Sequence, residues 1–168
     1  MKKQEFLAMS LPYGLKVHRI RVKKDFWEFT GERFSSEFHF RDSTYIPIVR
    51  PLSDLVKECV QADYNDGEPF VPIVELAKIA SGISFKNYEL SDIFEITTVF
   101  GCIKNFIFGI NKNLDFYLKT SGLKELRETN IMISNQFRLL QQLISWHFDL
   151  TTEECEKVYV TDEFNPYK

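Results

Sequence analysis

The chain reads as an α+β fold: an antiparallel sheet of about six strands, with two central helices and a C-terminal helix packed mainly on one face. Three observations predict this. Segments of period-two alternation occur on both sides of a central helical pair, three stretches carry apolar residues at spacings of three and four, and large apolar side chains abound. The 168 residues are 44% hydrophobic and include 16 Phe, 7 Tyr and 2 Trp. That length and composition suit one domain over 1–168, with a core sufficient to fold without metal or disulfide support.

Residues 4–9 suggest a short helical turn, ended by Pro12 and Gly14. From Leu15 to Arg41 the pattern turns to β: Trp27/Phe29 and Phe38/Phe40 fall on one face, with Glu28 and His39 on the other. Breaks at Lys24-Asp25 and Gly31 divide this stretch into two or three strands. Residues 44–49 read as an edge strand, because Pro47 cannot donate to a central ladder.

Pro51 followed by Leu52, Leu55, Val56 and Cys59 predicts a helix of about ten residues. After the turn DYNDGEP, a second helix starts at Pro72, with Ile73, Leu76, Ala77 and Ala80 on its apolar face and Gly82 at its C-cap. Strands are expected over 83–90, 93–100, 102–109 and 114–119, the last two joined by Asn111-Lys112-Asn113. A final helix over about 134–148 places Phe137, Leu140, Leu143, Ile144 and Phe148 on one side. Residues 150–168 read as a loose acidic tail. No repeat or low-complexity linker divides the chain.

Cys59, Cys102 and Cys155 are too few and too far apart for complete pairing or for a CxxC site, which suits reduced thiols in a cytoplasm. The N-terminus lacks a signal-peptide core, and no apolar run approaches the roughly 20 residues of a membrane-spanning helix. A soluble, cytoplasmic protein without membrane contact is therefore expected. Net charge is −3, but residues 1–41 carry nine Lys or Arg against five Asp or Glu, while residues 149–163 carry one against six.

Familiar chemistry finds no anchor. There is no GxSxG elbow, HExxH pair or GxxxxGK[ST] loop, and no cofactor is implied. Counted from Asp63, Gly67 is fifth and Val74 twelfth, whereas a calcium loop needs glycine sixth and an acid twelfth; Asp63, Asn65 and Asp66 fit a plain turn. No metal ligand set results. His18, His39 and His147 sit in separate elements, and His147 at a helix end suits interaction with terminal carbonyls. Glu153 and Glu154 belong to the acidic tail, where both stay ionised. A non-standard site would need folding to bring Asp63, Asp66 and His147 together.

The positive signal is KVHRIRVKK, residues 16–24. Arg19, Arg21 and Lys23 share one face of an extended strand at about 7 Å spacing, close to Trp27, a pattern that grips phosphates and stacks bases. The same residues also suit a basic edge strand that repels other edges.

The stretches LAMSLPYGLKV, RPLSDLVKECVQADYNDGEPFVPIVELAKIA and FRLLQQLISWHFDL resemble the landmarks of an uncharacterised family of proteins encoded by phages and prophages of gut bacteria, and cover about a third of the chain. The resemblance implies no catalytic residues. It implies a small accessory protein that binds a host or phage macromolecule, with 50–66 and 137–149 as the first surfaces to examine. Oligomeric state stays open.

Overall fold

A computed structural model describes residues 1–19, 27–28, 45–85, 87–91, 95–100, 103–111, 113–122, 128–131, 133–152 and 155–168. Its elements, in chain order, are α1 (Lys3–Ser10), β1 (Lys16–Arg19), β2 (Trp27–Glu28), β3 (Tyr45–Val49), α2 (Pro72–Ser81), β4 (Glu89–Ser91), β5 (Glu95–Phe100), β6 (Ile103–Ile110), β7 (Phe116–Gly122), β8 (Glu128–Ile131), α3 (Gln136–Ser145) and β9 (Val158–Tyr159). The α+β class holds. The strands, however, form two sheets rather than one of six: a four-stranded sheet in the order β2-β1-β3-β9 and a five-stranded sheet in the order β4-β5-β6-β7-β8. Correspondingly the chain divides into two compact units, one built from Met1–Leu52 with Leu143–Lys168, the other from Ser53–Gln142.

In the first unit, β1 pairs antiparallel with β2 and β3, while β9 joins β3 in parallel. The strand around Pro47 is therefore not an edge. Val160 N–H donates to the Val49 carbonyl at 2.9 Å, so the main chain of Val49, and by period two the nitrogen of Pro47, faces the β9 side. The two-residue β9 begins opposite Ile48, past the point where a missing N–H would be felt. β1 also has a neighbour on each side, β2 pairing with it at Lys16 and Val17, so this part of the basic strand is not an edge.

The tail expected to be loose contributes β9, and Val160 and Tyr167 bury themselves against Ile48. The apolar residues Val158, Val160, Phe164 and Tyr167 supply the reason, since acidic composition alone does not decide order when a strand edge is on offer. α1 buries Phe6, Leu7 and Ser10, whose hydroxyl bonds back to the Phe6 carbonyl at 2.7 Å, and the Glu5 carboxylate accepts the Lys2 N–H at 2.9 Å at the helix start.

The second unit is a β-meander backed by α2. Ile96, Phe106, Phe108, Ile110, Phe116 and Leu118 alternate onto the buried face, and α2, which contacts β5 and β6, buries Pro72, Ile73, Val74, Leu76 and Ala77. Pro72 opens the helix at N1, and Gly82 closes it in the left-handed region at φ 71°, as its sequence predicts. The helix expected from Pro51 is instead a 3-10 turn over Leu52–Val56. Its continuation is diverted because Cys59 exchanges two main-chain bonds with Phe70, at 2.8 and 2.9 Å. The strand expected over 83–90 shrinks to β4, and β8 adds a strand the sequence pattern did not announce.

Two side chains tie helices to this unit. The Gln136 amide accepts from Phe116 N–H at 2.9 Å and donates to the Phe116 carbonyl at 2.5 Å, acting as a one-residue strand partner for the start of β7. Asn135 donates to the Ile79 carbonyl in the last turn of α2. Across the outward face, Gly109 stands between Glu95 and Tyr117 in register. The Tyr117 ring lies over Gly109, and its phenol donates to the Glu95 carboxylate. A Cβ on Gly109 would sit 2.5 Å from the phenol oxygen, so glycine is what permits the crossing.

Candidate functional site

The candidate nucleic-acid residues are only partly in view. Arg19 closes β1, its backbone opposite Tyr45, and Trp27 opens β2 opposite Val17. Arg21 and Lys23 lie outside the described residues.

Asp63 and Asp66 belong to the second unit and His147 to the first. The two aspartates sit in the exposed loop closed by the Cys59–Phe70 bridge. Asp63 accepts from the Gln61 amide at 2.7 Å, and Asn65, Asp66 and Gly67 are all left-handed, at φ 53°, 55° and 76°. Three consecutive residues in that region wind the loop tip the unusual way, and Asn and Asp are the non-glycine residues that tolerate it best. Tyr64 anchors the tip, its ring 4.6 Å from that of Phe70 and its hydroxyl 3.4 Å from Glu75; burial, then the Glu75 charge, pushes the phenol up to about 12. Among the described residues no three His, Cys, Asp or Glu side chains are grouped to hold a metal ion.

His147 belongs to a different constellation. α3 ends in a Schellman motif: His147 N–H bonds the Ile144 carbonyl at 2.9 Å, Phe148 N–H bonds the Leu143 carbonyl at 3.0 Å, and His147 takes the left-handed position at φ 63°, where glycine is usual. The reversal delivers Phe148 to a parallel bridge with Arg50, in which Arg50 N–H donates to the His147 carbonyl at 2.8 Å and Asp149 N–H to the Arg50 carbonyl at 2.9 Å. The Arg50 side chain, 3% exposed, donates from Nε to the Trp146 carbonyl at 3.1 Å, placing a cation at the negative end of α3.

Tyr167 completes the group. Its ring stacks on the His147 imidazole at 3.9 Å between centroids, and the Arg50 guanidinium lies 5.9 Å from its centre. Register puts Lys16 opposite Ile48, yet the direct ladder bond is replaced by the phenol oxygen, which accepts from Lys16 N–H at 3.0 Å and donates to the Ile48 carbonyl at 2.6 Å. Burial raises the phenol's pKa, so it stays protonated and can donate. Burial, then the charges of Arg50 and Lys16, pushes His147 down to about 3, and its Nδ1 has no hydrogen-bond partner among the described residues. At neutral pH the imidazole is a flat, uncharged stacking surface.

Beside it, Asp149 is a saturated carboxylate. It accepts from Thr151 N–H at 3.1 Å, Thr151 Oγ1 at 2.7 Å, Lys157 Nζ at 2.7 Å and Tyr159 Oη at 3.1 Å. Burial pushes its pKa up, but the bonds from Lys157 and Thr151 outweigh that and hold it below the usual carboxylate range. Cys155 is a free thiol near Thr151.

Sequence reasoning found His147 at a helix end but missed Arg50, Tyr167 and Asp149 as its companions. The local signals were Arg50 before Pro51 and the run Trp146-His147-Phe148-Asp149; the pairing between them spans almost a hundred residues and leaves no periodic trace. Comparisons with protein families, with curated proteins and with solved structures find no match. No helix among the described residues is long and apolar enough to cross a membrane.

Proposed function

We propose that this chain is a cytoplasmic phage or prophage accessory protein that acts by binding a macromolecule, in the first instance a host or phage protein, and so modulates a host process such as defence. The observation that carries the reading is Phe137, left 63% exposed on the first turn of α3 although its spacing predicts burial with Leu143 and Ile144. A large aromatic side chain standing in water is the type of residue that anchors protein interfaces. Tyr88 and Leu90, at the outer strand β4, are exposed in the same unit. The resemblance to phage-encoded accessory proteins agrees with this.

The test is affinity capture from host lysate with the unaltered chain and with Phe137→Ser. A partner that is retained by the first and lost by the second, at unchanged stability, supports the reading; identical capture profiles from the two chains count against it. The second reading, single-stranded nucleic-acid binding through Arg19, Arg21, Lys23 and Trp27, gains some support from β2 lying against β1, which sets the Trp27 backbone opposite Val17 in the strand that also carries Arg19. It requires salt-sensitive binding that weakens in Arg19→Ala with Arg21→Ala, and a flat titration at low salt removes it. An enzymatic reading on Asp63, Asp66 and His147 has the least support, since His147 is buried beneath Tyr167.

A further inference from the structure

The segment Val158–Lys168 docks at two separated points. At its root, Val158 and Tyr159 pair in parallel with Ile48 and Val49, and Val160 adds a bond to Val49. At its tip, Tyr167 enters the slot between Lys16 and Ile48. Between the two points its hydrogen bonds are largely to itself, Thr161 N–H to the Phe164 carbonyl at 2.9 Å, Phe164 N–H to Thr161 Oγ1 at 3.1 Å and Tyr167 N–H to Asn165 Oδ1 at 3.0 Å, while Val160 and Phe164 pack against the Ile48 cluster.

The hydrogen bonds that frame the receiving surface do not involve it, whereas the apolar cover over Ile48 is its own. Pairing of β1 with β3 sets the slot, and the bonds of Arg50 to Trp146, His147 and Asp149, together with the Schellman turn, set the imidazole wall. None of these bonds uses residues 158–168. What remains is a strand edge followed by a pocket with one main-chain donor, one main-chain acceptor and an aromatic floor. That combination is the way strand-addition sites read extended peptides: the edge supplies affinity and the pocket supplies selectivity.

We propose that the β3 edge and the pocket formed by Lys16, Ile48, Arg50 and His147 are a peptide-binding groove for a segment that pairs as a short strand at its root and carries a tyrosine on the turn that follows, and that Val158–Lys168 is its autoinhibitory occupant. The phenol is the selective feature. Phenylalanine would fill the ring position but leave the Lys16 N–H and the Ile48 carbonyl without the oxygen that joins them. Tethering puts the chain's own segment at an effective concentration in the millimolar range, so the closed groove excludes weaker ligands. Asp149, which holds Thr151 on one side and Lys157 and Tyr159 on the other, clasps the root of the tether. The proposal names a partner class for the binding reading above and rests on that reading for its use. It employs a different unit from Phe137, so the two fail separately.

The test uses the chain carrying Val160→Pro with Tyr167→Ala, which removes the Val160 donor to Val49 and vacates the pocket, titrated by fluorescence anisotropy with a labelled peptide VYVTDEFNPYK and with the peptide ending in PFK. Expected are saturable binding of the first, at least tenfold weaker binding of the second, and at least tenfold weaker binding of the first to the unaltered chain. Absence of saturable binding up to millimolar peptide, or equal binding of the two peptides, overturns the proposal. Should the variant not fold, hydrogen exchange on the unaltered chain decides: Lys16 and Val160 amides are expected to open together, well before those of Arg50 and Phe148. Exchange of all four only by global unfolding overturns it.

Discussion

The two units solve the same packing problem with opposite connectivity. The Ser53–Gln142 unit is continuous, and its sheet is a meander in which each strand pairs with the next along the chain. The other unit joins Met1–Leu52 to Leu143–Lys168; β3 meets β9, Arg50 meets Phe148, and Thr152 N–H bonds the Met1 carbonyl at 2.9 Å. Local pairing closes small loops and is fast, whereas distant pairing bears the loop-closure cost before any contact offsets it. Of the buried polar residues described, Gln61 lies in the continuous unit and Ser10, Arg50, His147 and Asp149 in the other. With the Tyr167 phenol, the directional bonds of Arg50 and Asp149 specify which distant segments meet there.

The largest expected effect that separates the units is acid sensitivity. His147 is held at about 3 against an ordinary 6.5, and Asp149 is held below its usual range. Both folded values are depressed, so the unfolded chain binds more protons as pH falls, and stability present at neutrality is lost: for His147 progressively from 6.5 down to about 3, for Asp149 below the ordinary carboxylate range. At about 1.4 kcal/mol per unit, His147 alone makes this a matter of several kcal/mol. Trp27 and Trp146 are the chain's two tryptophans and both lie in the discontinuous unit, so their fluorescence reports it selectively. Tryptophan emission in urea is expected to show a midpoint falling steadily between pH 6.5 and 4, while Phe108 and Leu118 amides stay protected. Equal loss in both units would break the comparison.

Next in size, Arg50→Ala removes the donor to the Trp146 carbonyl and the cation at the end of α3, and is expected to cost about 2–4 kcal/mol by tryptophan-detected unfolding. In the meander, Gly109→Ala sets a methyl group 2.5 Å from the Tyr117 phenol oxygen and 2.9 Å from Glu95 Cγ. A loss of about 1–3 kcal/mol is expected from overpacking, read from β6 amide protection, with Tyr117→Ala in the same chain recovering most of the clash.

What was legible in the sequence tracks how local each signal is. Pro72, the spacing of Ile73, Leu76 and Ala77, and Gly82 describe a complete helix within eleven residues, and the structure places α2 there. Leu52, Leu55, Val56 and Cys59 have equally good helical spacing, but Cys59 is drawn into a bridge with Phe70, and a tertiary bond overrides the periodicity. Phe137 shows the converse, a residue with the right spacing for burial that stays in water. The tail misleads most: Asp162 and Glu163 suggest solvent, whereas Val160 and Tyr167 are ordered by β3, more than a hundred residues earlier. The phenol in place of a ladder bond has no pattern in either strand from which it could be read.

The crossing of Tyr117 over Gly109 onto Glu95 also constrains how this chain can change over generations. With tyrosine in place, almost any side chain at Gly109 collides with the ring; once the tyrosine is replaced by a smaller residue, the glycine becomes an ordinary, replaceable weakness in a strand. The order of events therefore matters, since replacing Gly109 first costs the overpacking against Tyr117 that replacing Tyr117 first avoids. In diverged descendants of this sequence, positions 95, 109 and 117 are expected to vary as a trio, across three neighbouring strands, rather than one at a time.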